Sequence, residues 1–407
     1  MKKGLFFLVA LCAYLLYTPV PEGITEPLRY RTLVAGTKLI DLVARCKDLI
    51  WPNAPNDMTT FRHAMDMTVI GLSDTKTGSN FKARVTYFDG VKVRLYEPIE
   101  KSSSLLPGFI YYHGGGFCIG STEFYDGVTR QIADDLNAVV ISVDYRLSPE
   151  HPFPAPFEDC LKASEWFISH AKEFGVDASR IGIGGDSAGG YLTSLVTQFL
   201  VMKNVQTKVQ MLIYPATPLL DTATPGFQKY QHEFGNGGTL SLPIIARFYL
   251  YHILGSKNPE FEELFIQNNH LSPSMKETEF VKKYINHSLI PENMRSPSFY
   301  KGPTDPKTGS EAMWKEIEKV CLDSRFNAFQ NLPMKGLPPA YIITCGFDSI
   351  RDEGILYGEA LKASGVDVTW KHYESAFHGI FWMEPIVSFE LGAKMRREAL
   401  EFVKTLL

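Results

Sequence analysis

The chain has 407 residues, of which 45% are hydrophobic and 21% are charged, and its formal net charge is -4 at pH 7. This composition is typical of a folded globular protein and excludes a disordered, collagenous or polytopic membrane protein. Because no basic excess is present to neutralise phosphates, nucleic-acid binding is disfavoured. The six cysteines lack the paired CxxC spacing of a zinc or redox site, so we expect no metal centre.

An uncharged apolar run occupies residues 4–20, directly after Lys2 and Lys3. At a rise of about 1.5 Å per residue, a helix of this length is just long enough to cross a hydrocarbon core. We therefore predict an uncleaved membrane anchor over residues 1–20. A cleaved signal peptide and an ordinary buried helix are the alternatives.

The lysines ahead of the anchor predict its orientation, because basic flanks stay on the cytosolic side. The rest of the chain would then lie in the lumen of the secretory pathway, as a single-pass type II protein of the endoplasmic reticulum membrane. One glycosylation acceptor, Asn286-His287-Ser288, agrees with that location. Such triplets also arise by chance, so modification of Asn286 stays open.

The segments that follow predict a mostly parallel sheet. Residues 81–96 alternate β-branched or aromatic residues with polar ones around Asp89 and Gly90, which predicts a β-hairpin. Later apolar runs without alternation are typical of strands buried on both faces, at residues 109–112, 138–143, 181–183, 209–214, 340–345 and 366–370. Helical stretches lie between and after them, at residues 124–136, 157–174, 189–202, 350–364 and 385–407. This alternation predicts an α/β fold with a central sheet and helices on both faces.

Two segments do not follow the alternation. Residues 25–46 form an early helical stretch, and about 120 residues separate two core strands in the second half, which is too long for an ordinary crossover. We predict an N-terminal cap segment over residues 21–80 and a helical cap insertion over residues 216–337. These segments divide the core into residues 81–215 and 338–407. The aromatic residues of the insertion are expected to pack it onto the sheet more often than to contact substrate.

The most informative motif is Gly185-Asp186-Ser187-Ala188-Gly189, which follows a short apolar run and precedes a helical pattern. A GxSxG sequence between a strand and a helix predicts a nucleophile elbow, with Ser187 as the nucleophile. The glycines are needed because the tight turn leaves no room for a Cβ. The following helix would direct its N-terminal dipole and free N–H groups at the reacting centre.

Consecutive glycines follow an earlier predicted strand, in the sequence His113-Gly114-Gly115-Gly116. Glycine lets backbone N–H groups approach a ligand oxygen closely. We predict that Gly114 and Gly115 form an oxyanion hole with the N–H group of Ala188, and that His113 and Gly116 support this loop. A phosphate-binding loop is the alternative, but the motif lacks the Lys-Ser/Thr ending of such loops.

Two further residues complete a catalytic triad. His378 lies in a predicted loop after the last core strand and is the candidate base. Asp348, three residues past a core strand, is the candidate acid, whereas Asp352 and Glu353 fall at a helix start, where acidic residues commonly complement the helix dipole. The chain order Ser187, Asp348, His378 is the order of the α/β-hydrolase fold.

Several motifs together resemble one known family. HGGG, DYRLSPEHPFPA, GDSAGG, the run DSIRDEG from Asp348 and the sequence Phe377-His378-Gly379 are similar to the hormone-sensitive-lipase-like branch of the α/β hydrolases. With the lysine-led anchor, the whole chain resembles the arylacetamide deacetylase family. The resemblance implies the same triad, the same glycine loop and no cofactor.

The resemblance also implies two details beyond the triad. It points to a disulfide between Cys118 and Cys345, which an oxidising lumen would permit. It also marks Tyr191 as a departure, since a small or amide residue is expected after the second glycine of GDSAGG. A tyrosine at this position is expected to narrow or rotate the acyl pocket.

The sequence therefore predicts a membrane-anchored, lumen-facing serine hydrolase that cleaves carboxylic esters of hydrophobic, lipid or drug-like substrates through an acyl-enzyme. Whether aryl amides are cleaved as well, which acyl and leaving groups are preferred, and the oligomeric state stay open. The main alternative is a catalytically silent binding protein on the same fold. A serine peptidase is disfavoured, because nothing in the cap insertion resembles a peptide-selecting domain.

Overall fold

The computed structural model describes residues 14, 15, 17, 20–46, 57–72, 79–100, 104–235, 237–383 and 387–407. An eight-stranded sheet lies at the centre, in the order β1-β2-β4-β3-β5-β6-β7-β8. Its strands are β1 (Phe81–Phe88), β2 (Val91–Pro98), β3 (Leu106–Tyr112), β4 (Val139–Val143), β5 (Val176–Asp186), β6 (Val209–Ile213), β7 (Ala340–Phe347) and β8 (Val368–Phe377). Among the strands of the described residues, the β1–β2 and β2–β4 pairs are antiparallel and the other pairs are parallel. The prediction of an α/β fold with a mostly parallel sheet is confirmed.

Helices precede, connect and follow these strands. They are α1 (Pro27–Arg45), α2 (Asp57–Leu72), α3 (Asp126–Leu136), α4 (Ala155–Ser169), α5 (Ala188–Met202), α6 (Pro225–Phe234), α7 (Leu242–Leu254), α8 (Pro259–Ile266), α9 (Pro273–Lys276), α10 (Glu279–Tyr284), α11 (Glu311–Cys321), α12 (Arg351–Ala363) and α13 (Glu390–Leu406). Short 3-10 turns add Ala171–Phe174, His287–Leu289 and Glu292–Met294. We call α1 and α2 the N-terminal helix pair and residues 216–337 the cap segment.

Helices cover both faces of the sheet because its central strands are apolar on both sides. Ile110 and Tyr112 of β3 belong to one buried cluster, with α4, α5 and α12, whereas Phe109 and Tyr111 belong to another, with α3 and α13. Neighbouring residues of a strand point to opposite faces of the sheet. A strand whose successive residues are all apolar therefore has to be covered by helices on both faces. The apolar runs of the sequence predicted this arrangement.

The β1–β2 hairpin at the sheet edge has the predicted two-residue turn. Asp89 and Gly90 have φ angles of 45° and 84°. Positive φ at both central residues is typical of a type I′ turn, whose twist matches the twist of the flanking strands. The turn pairs Phe88 with Val91 and so sets the register of the hairpin.

Several predicted boundaries differ from the structure; β5, for example, begins at Val176 and not at residue 181. The helix predicted over residues 157–174 is α4 followed by a separate 3-10 turn, because the chain leaves the helical conformation at His170. The segment before His378, predicted as a loop, belongs to β8 as far as Phe377. The register shifts between the pairs Cys345–Tyr373 and Phe347–Phe377, where β8 accommodates two more residues than β7. His378 therefore directly follows a strand end.

Helices α6 to α11 lie within the cap segment, between β6 and β7. Its aromatic residues, such as Phe227, Tyr249 and Phe265, are buried in the same cluster as the core strands, as expected for side chains that pack the segment onto the sheet. Most of the apolar run over residues 4–20 lies outside the described residues. Within the part of the chain that the structure does describe, no helix combines the length and apolarity needed to cross a membrane.

The structure contradicts the predicted disulfide, because Cys118 and Cys345 are both free and buried. Cys118 packs with Met58 and Tyr251 in a small satellite cluster, whereas Cys345 belongs to the large cluster beneath α3 and α13. Moreover, β5 and β6 separate β3, which precedes Cys118, from β7. The two cysteines therefore lie in separate buried clusters and do not pair.

Candidate active site

Ser187 lies in the tight turn between β5 and α5, at the carboxyl edge of the sheet. Its backbone has φ 53° and ψ −120°, a conformation that non-glycine residues rarely adopt and that is found at strained functional sites. A Cβ at Gly185 or Gly189 would overlap the carbonyl oxygen of Tyr112. The turn therefore has the strand–turn–helix geometry expected of a nucleophile elbow, and both flanking glycines are required by the packing.

The structure brings Ser187, His378 and Asp348 together. The Nε2 atom of His378 lies 2.9 Å from Ser187 Oγ, and its Nδ1 atom lies 2.9 Å from Asp348 Oδ2. The backbone N–H group of Ile350 donates to the other carboxylate oxygen of Asp348 at 3.0 Å. Because a carboxylate only accepts, Nδ1 carries the imidazole proton and Nε2 is left to accept from the serine hydroxyl. His378 is thus placed to remove the proton of Ser187.

The two competing acids lie elsewhere. Asp352 accepts from Arg351 Nε at 2.6 Å and from the backbone N–H group of Gly226 at 2.5 Å. Glu353 accepts from the hydroxyl group of Thr217. Both carboxylates therefore link α12 to the cap segment, and Asp348 is the one of the three acids that contacts the histidine.

One predicted oxyanion donor is wrong. The N–H group of Gly114 donates to Asp186 Oδ1 at 2.9 Å, so it is not free to bind a reacting oxygen. Gly115 and Gly116 line the cavity beside Ser187, with φ angles of 113° and 58° that favour glycine. The N–H groups available as oxyanion donors in this loop are therefore those of Gly115 and Gly116, one residue later than the predicted pair of Gly114 and Gly115.

Sequence reasoning assigned no role to Asp186, which is completely enclosed next to the nucleophile. Its carboxylate accepts from the hydroxyl groups of Tyr111 at 2.8 Å and Tyr125 at 3.0 Å, besides the N–H group of Gly114. Burial raises the pKa of Asp186 to about 6, although these hydrogen bonds act in the opposite direction. Asp186 thus links the end of β5 to the oxyanion loop. A charged residue at the end of a strand buried on both faces was the signal available in the sequence.

His113 supports the oxyanion loop from below. Its ring stacks on Tyr145 with centroids 4.3 Å apart, and Nδ1 donates to the carbonyl oxygen of Gly114 at 2.8 Å. Burial lowers the pKa of His113. Tyr191 is buried against Phe117 and is not among the residues that line the cavity around Ser187. Tyr191 is therefore not part of the cavity wall, and the expectation that it narrows or rotates the acyl pocket stays a prediction, with Phe117, which lines the cavity, as the side chain between them.

Asn286 is exposed at the start of the 3-10 turn His287–Leu289. Its side-chain oxygen accepts from the backbone N–H group of Ser288 at 2.9 Å. The sequon therefore lies at the surface of the cap segment. Over the described ranges of the chain, no group of three or more His, Cys, Asp or Glu side chains is arranged to hold a metal ion.

A cavity of about 420 Å³ contains Ser187 and His378 in its wall. Separate parts of the chain contribute its mainly apolar lining: the N-terminal helix pair, the oxyanion loop, the cap segment and the residues after β8. Large apolar members are Leu33, Met58, Phe61, Met65, Phe117, Ile119, Phe124, Leu219, Leu240, Ile244, Ile245, Phe248, Ile350, Trp382 and Met383. A site of this size and lining suits a small hydrophobic ligand.

Comparisons with known proteins agree with this geometry. Residues 109–275 and 288–382 match a family model described as the alpha/beta hydrolase fold. The chain is 34% identical to arylacetamide deacetylase of Mus musculus over 98% of both chains, and 32% identical to neutral cholesterol ester hydrolase 1 of Bos taurus over 97% of both. A solved hyperthermophilic esterase from Pyrobaculum calidifontis has 26% identity and a TM-score of 0.58, covering 90% of this chain and 97% of its own.

The chain therefore belongs to the α/β-hydrolase family. Within that family it is a carboxylesterase-like hydrolase and a homologue of arylacetamide deacetylase over nearly its whole length. The family resemblance seen in the sequence motifs is confirmed.

Substitution of the triad residues tests their roles separately. Ser187→Ala or His378→Ala should each reduce kcat for an ester substrate by at least about a thousandfold, because triad members act as a unit. Asp348→Asn should also be severe, whereas Asp352→Asn should be much milder. Steady-state kinetics, with thermal unfolding as the control for folding, measure these effects. If Asp352→Asn proved the more damaging aspartate variant, the assignment of the acid would be wrong.

Glu353 predicts a pH dependence of stability. Burial raises the pKa of its carboxyl to about 8, so the folded chain keeps a proton that the unfolded chain releases at lower pH. The stability from this group is fully present below the unfolded pKa of about 4.3 and is lost as the pH rises through 8. In denaturant titrations, the free energy of unfolding of the wild type should fall by several kcal/mol relative to that of Glu353→Gln between pH 5 and pH 9. Parallel pH profiles for the two proteins would contradict this prediction.

Proposed function

We propose that this hydrolase is a serine esterase that cleaves hydrophobic carboxylic esters through an acyl-enzyme. The hydrogen-bonded chain Asp348–His378–Ser187 in the wall of an apolar cavity is the observation that carries the proposal. His378 takes the proton of Ser187 as the hydroxyl attacks the ester carbonyl, and then gives it to the leaving alcohol. Water activated by His378 releases the acid and frees the serine.

The oxyanion of the tetrahedral intermediate would be held by the N–H groups of Gly115, Gly116 and Ala188. Ala188 is the first residue of α5, where backbone N–H groups have no partner within the helix. Loss of one such donor typically costs about 3–4 kcal/mol of transition-state stabilisation. The hydrogen bond from Gly114 to Asp186 supports this assignment, because it fixes the loop while its next two residues face the cavity.

The apolar lining supports hydrophobic esters as substrates. The names of the two mammalian relatives refer to an aryl amide and to a sterol ester. Both share the acyl chemistry that this triad performs, and His378 could equally protonate a leaving nitrogen. An intact triad argues against the alternative of a catalytically silent binding protein, because such a protein does not need all three groups in hydrogen-bonding positions.

The proposed location follows from the N-terminus. Lys2, Lys3 and the apolar run over residues 4–20 support an uncleaved anchor in the endoplasmic reticulum membrane, with the hydrolase in the lumen. The surface position of Asn286 supports the same side of the membrane, since glycosylation needs an accessible acceptor. Together these features support a membrane-associated enzyme that meets lipid or drug-like esters.

A series of p-nitrophenyl esters from acetate to octanoate tests the substrate class. Each added methylene buried in the cavity contributes up to about 0.8 kcal/mol, so kcat/KM should rise by at least about tenfold across the series. The matching anilides, assayed in parallel, decide whether amides are cleaved at a useful rate. A profile that is flat or falls with chain length would contradict a hydrophobic acyl site.

A further inference from the structure

We propose that the mouth of the active-site cavity opens onto the lipid bilayer that holds the N-terminal anchor. A membrane-dissolved ester would then reach Ser187 without first crossing water. The inference rests on the proposed esterase function and anchor, and it adds the route of the substrate and the surface that docks on the membrane.

The first observation is the position of the end of the apolar run. Tyr14 lines the cavity that contains Ser187 and is also 51% exposed, so it lies at the mouth. The side chain of Lys38 on α1 donates to the carbonyl oxygens of Tyr14 at 3.3 Å and Tyr17 at 2.7 Å. Tyr14 and Tyr17, in the second half of the run, are therefore attached to α1, and Tyr14 lies at the mouth. Tyrosines are typical of the boundary between membrane and water.

The second observation is that α1 carries large apolar side chains on its outer face as well as toward the cavity. Leu33 lines the cavity, whereas Leu28 and Leu39 face outward and are 78% and 45% exposed. Because Leu28 and Leu39 are eleven residues apart, about three helical turns, they share one face. Met67 and Ile70 of α2, three residues apart, are also exposed. A helix surrounded by water would present polar residues on its outer face.

The charge of α1 favours a lipid surface over a protein partner. The helix carries Arg29, Arg31 and Lys38 against a single acid, Asp41, and Arg29 also pairs with Glu26 just before the helix. Basic side chains beside apolar ones suit a helix in the interfacial plane, where they meet lipid phosphates. The apolar run beside this helix is the predicted membrane anchor, so the anchor would place a bilayer next to α1. We therefore assign the lipid boundary, and not a second copy of the chain, as the occupant of this surface.

The helix pair is also joined firmly to the catalytic core. Arg62 of α2 donates to the carbonyl oxygens of Cys118 and Ser148, each at 2.6 Å, and its guanidinium pairs with Glu150. Cys118 closely follows the oxyanion loop. A bilayer that contacts this helix pair would therefore have a fixed position relative to Ser187.

Photo-crosslinking tests the surface without requiring catalysis. Full-length Ser187→Ala protein in phosphatidylcholine vesicles that contain a diazirine phosphatidylcholine should yield lipid adducts on α1 and α2. Strand β1 is the internal control, because its Val85 and Tyr87 are 44% and 64% exposed but do not line the cavity. Adducts confined to residues 1–20, adducts equally frequent on β1, or a crosslinked dimer through α1 would each overturn the proposal.

Kinetics test the route of the substrate. The double variant Leu28→Gln/Leu39→Gln should hydrolyse a long-chain ester embedded in vesicles about tenfold more slowly, a loss of about 1.4 kcal/mol, because its docking face is polar. Its hydrolysis of soluble p-nitrophenyl acetate and its melting temperature should be unchanged. The matched control is Met202→Gln/Leu322→Gln, at side chains that are 47% and 43% exposed elsewhere on the surface.

The outcomes separate the two proposals. Unchanged vesicle activity in the Leu28/Leu39 variant, or an equal loss in the Met202/Leu322 control, would overturn the membrane-facing mouth. If wild-type protein hydrolysed neither substrate, the esterase function would fail, and the crosslinking result alone would decide where the mouth lies.

Discussion

The close approach of the β5–α5 turn to the end of β3 is the constraint on which the geometry of this active site depends. Gly185 and Gly189 carry no side chain because the backbone of β3 occupies that space. The same approach brings Asp186 within hydrogen-bond distance of Gly114 and presents Ser187 with a strained backbone. Strain of this kind costs about 1–3 kcal/mol, and the buried hydrogen bonds of Asp186 help to offset it. Nucleophile and oxyanion loop are therefore positioned by one packing arrangement.

The remaining catalytic groups reach this point because parallel strands end at the same edge of the sheet. Asp348 follows β7 and His378 follows its neighbour β8, so the acid and the base lie side by side. The cap segment and the N-terminal helix pair then complete the cavity above the sheet. Asp352 links the core to the cap segment at Gly226, and Arg62 links α2 to the segment after the oxyanion loop. The core thus arranges the chemistry, while the added segments set the shape and polarity of the ligand site.

Strand–helix alternation and motif order were sufficient to predict the α/β-hydrolase fold and the partners Ser187, Asp348 and His378, since each depends on local pattern and on chain order. Which backbone N–H groups of the glycine loop bind the oxyanion could not be predicted from local pattern and chain order. The assignment of Gly114 as an oxyanion donor failed because a buried carboxylate, Asp186, needs that N–H group. The predicted disulfide failed because Cys118 lies in the segment after β3 whereas Cys345 lies within β7, and the two side chains pack in separate buried clusters.

Covalent labelling by a fluorophosphonate tests the central claim, that a hydrogen-bonded histidine makes one serine of this cavity nucleophilic. Full-length folded protein would be treated with the reagent and then mapped by peptide mass spectrometry. The account predicts a single phosphonylated peptide, which contains Ser187, and no labelling of the denatured chain or of the His378→Ala variant. Labelling of a different serine, or unlabelled Ser187 in folded wild-type protein, would contradict it.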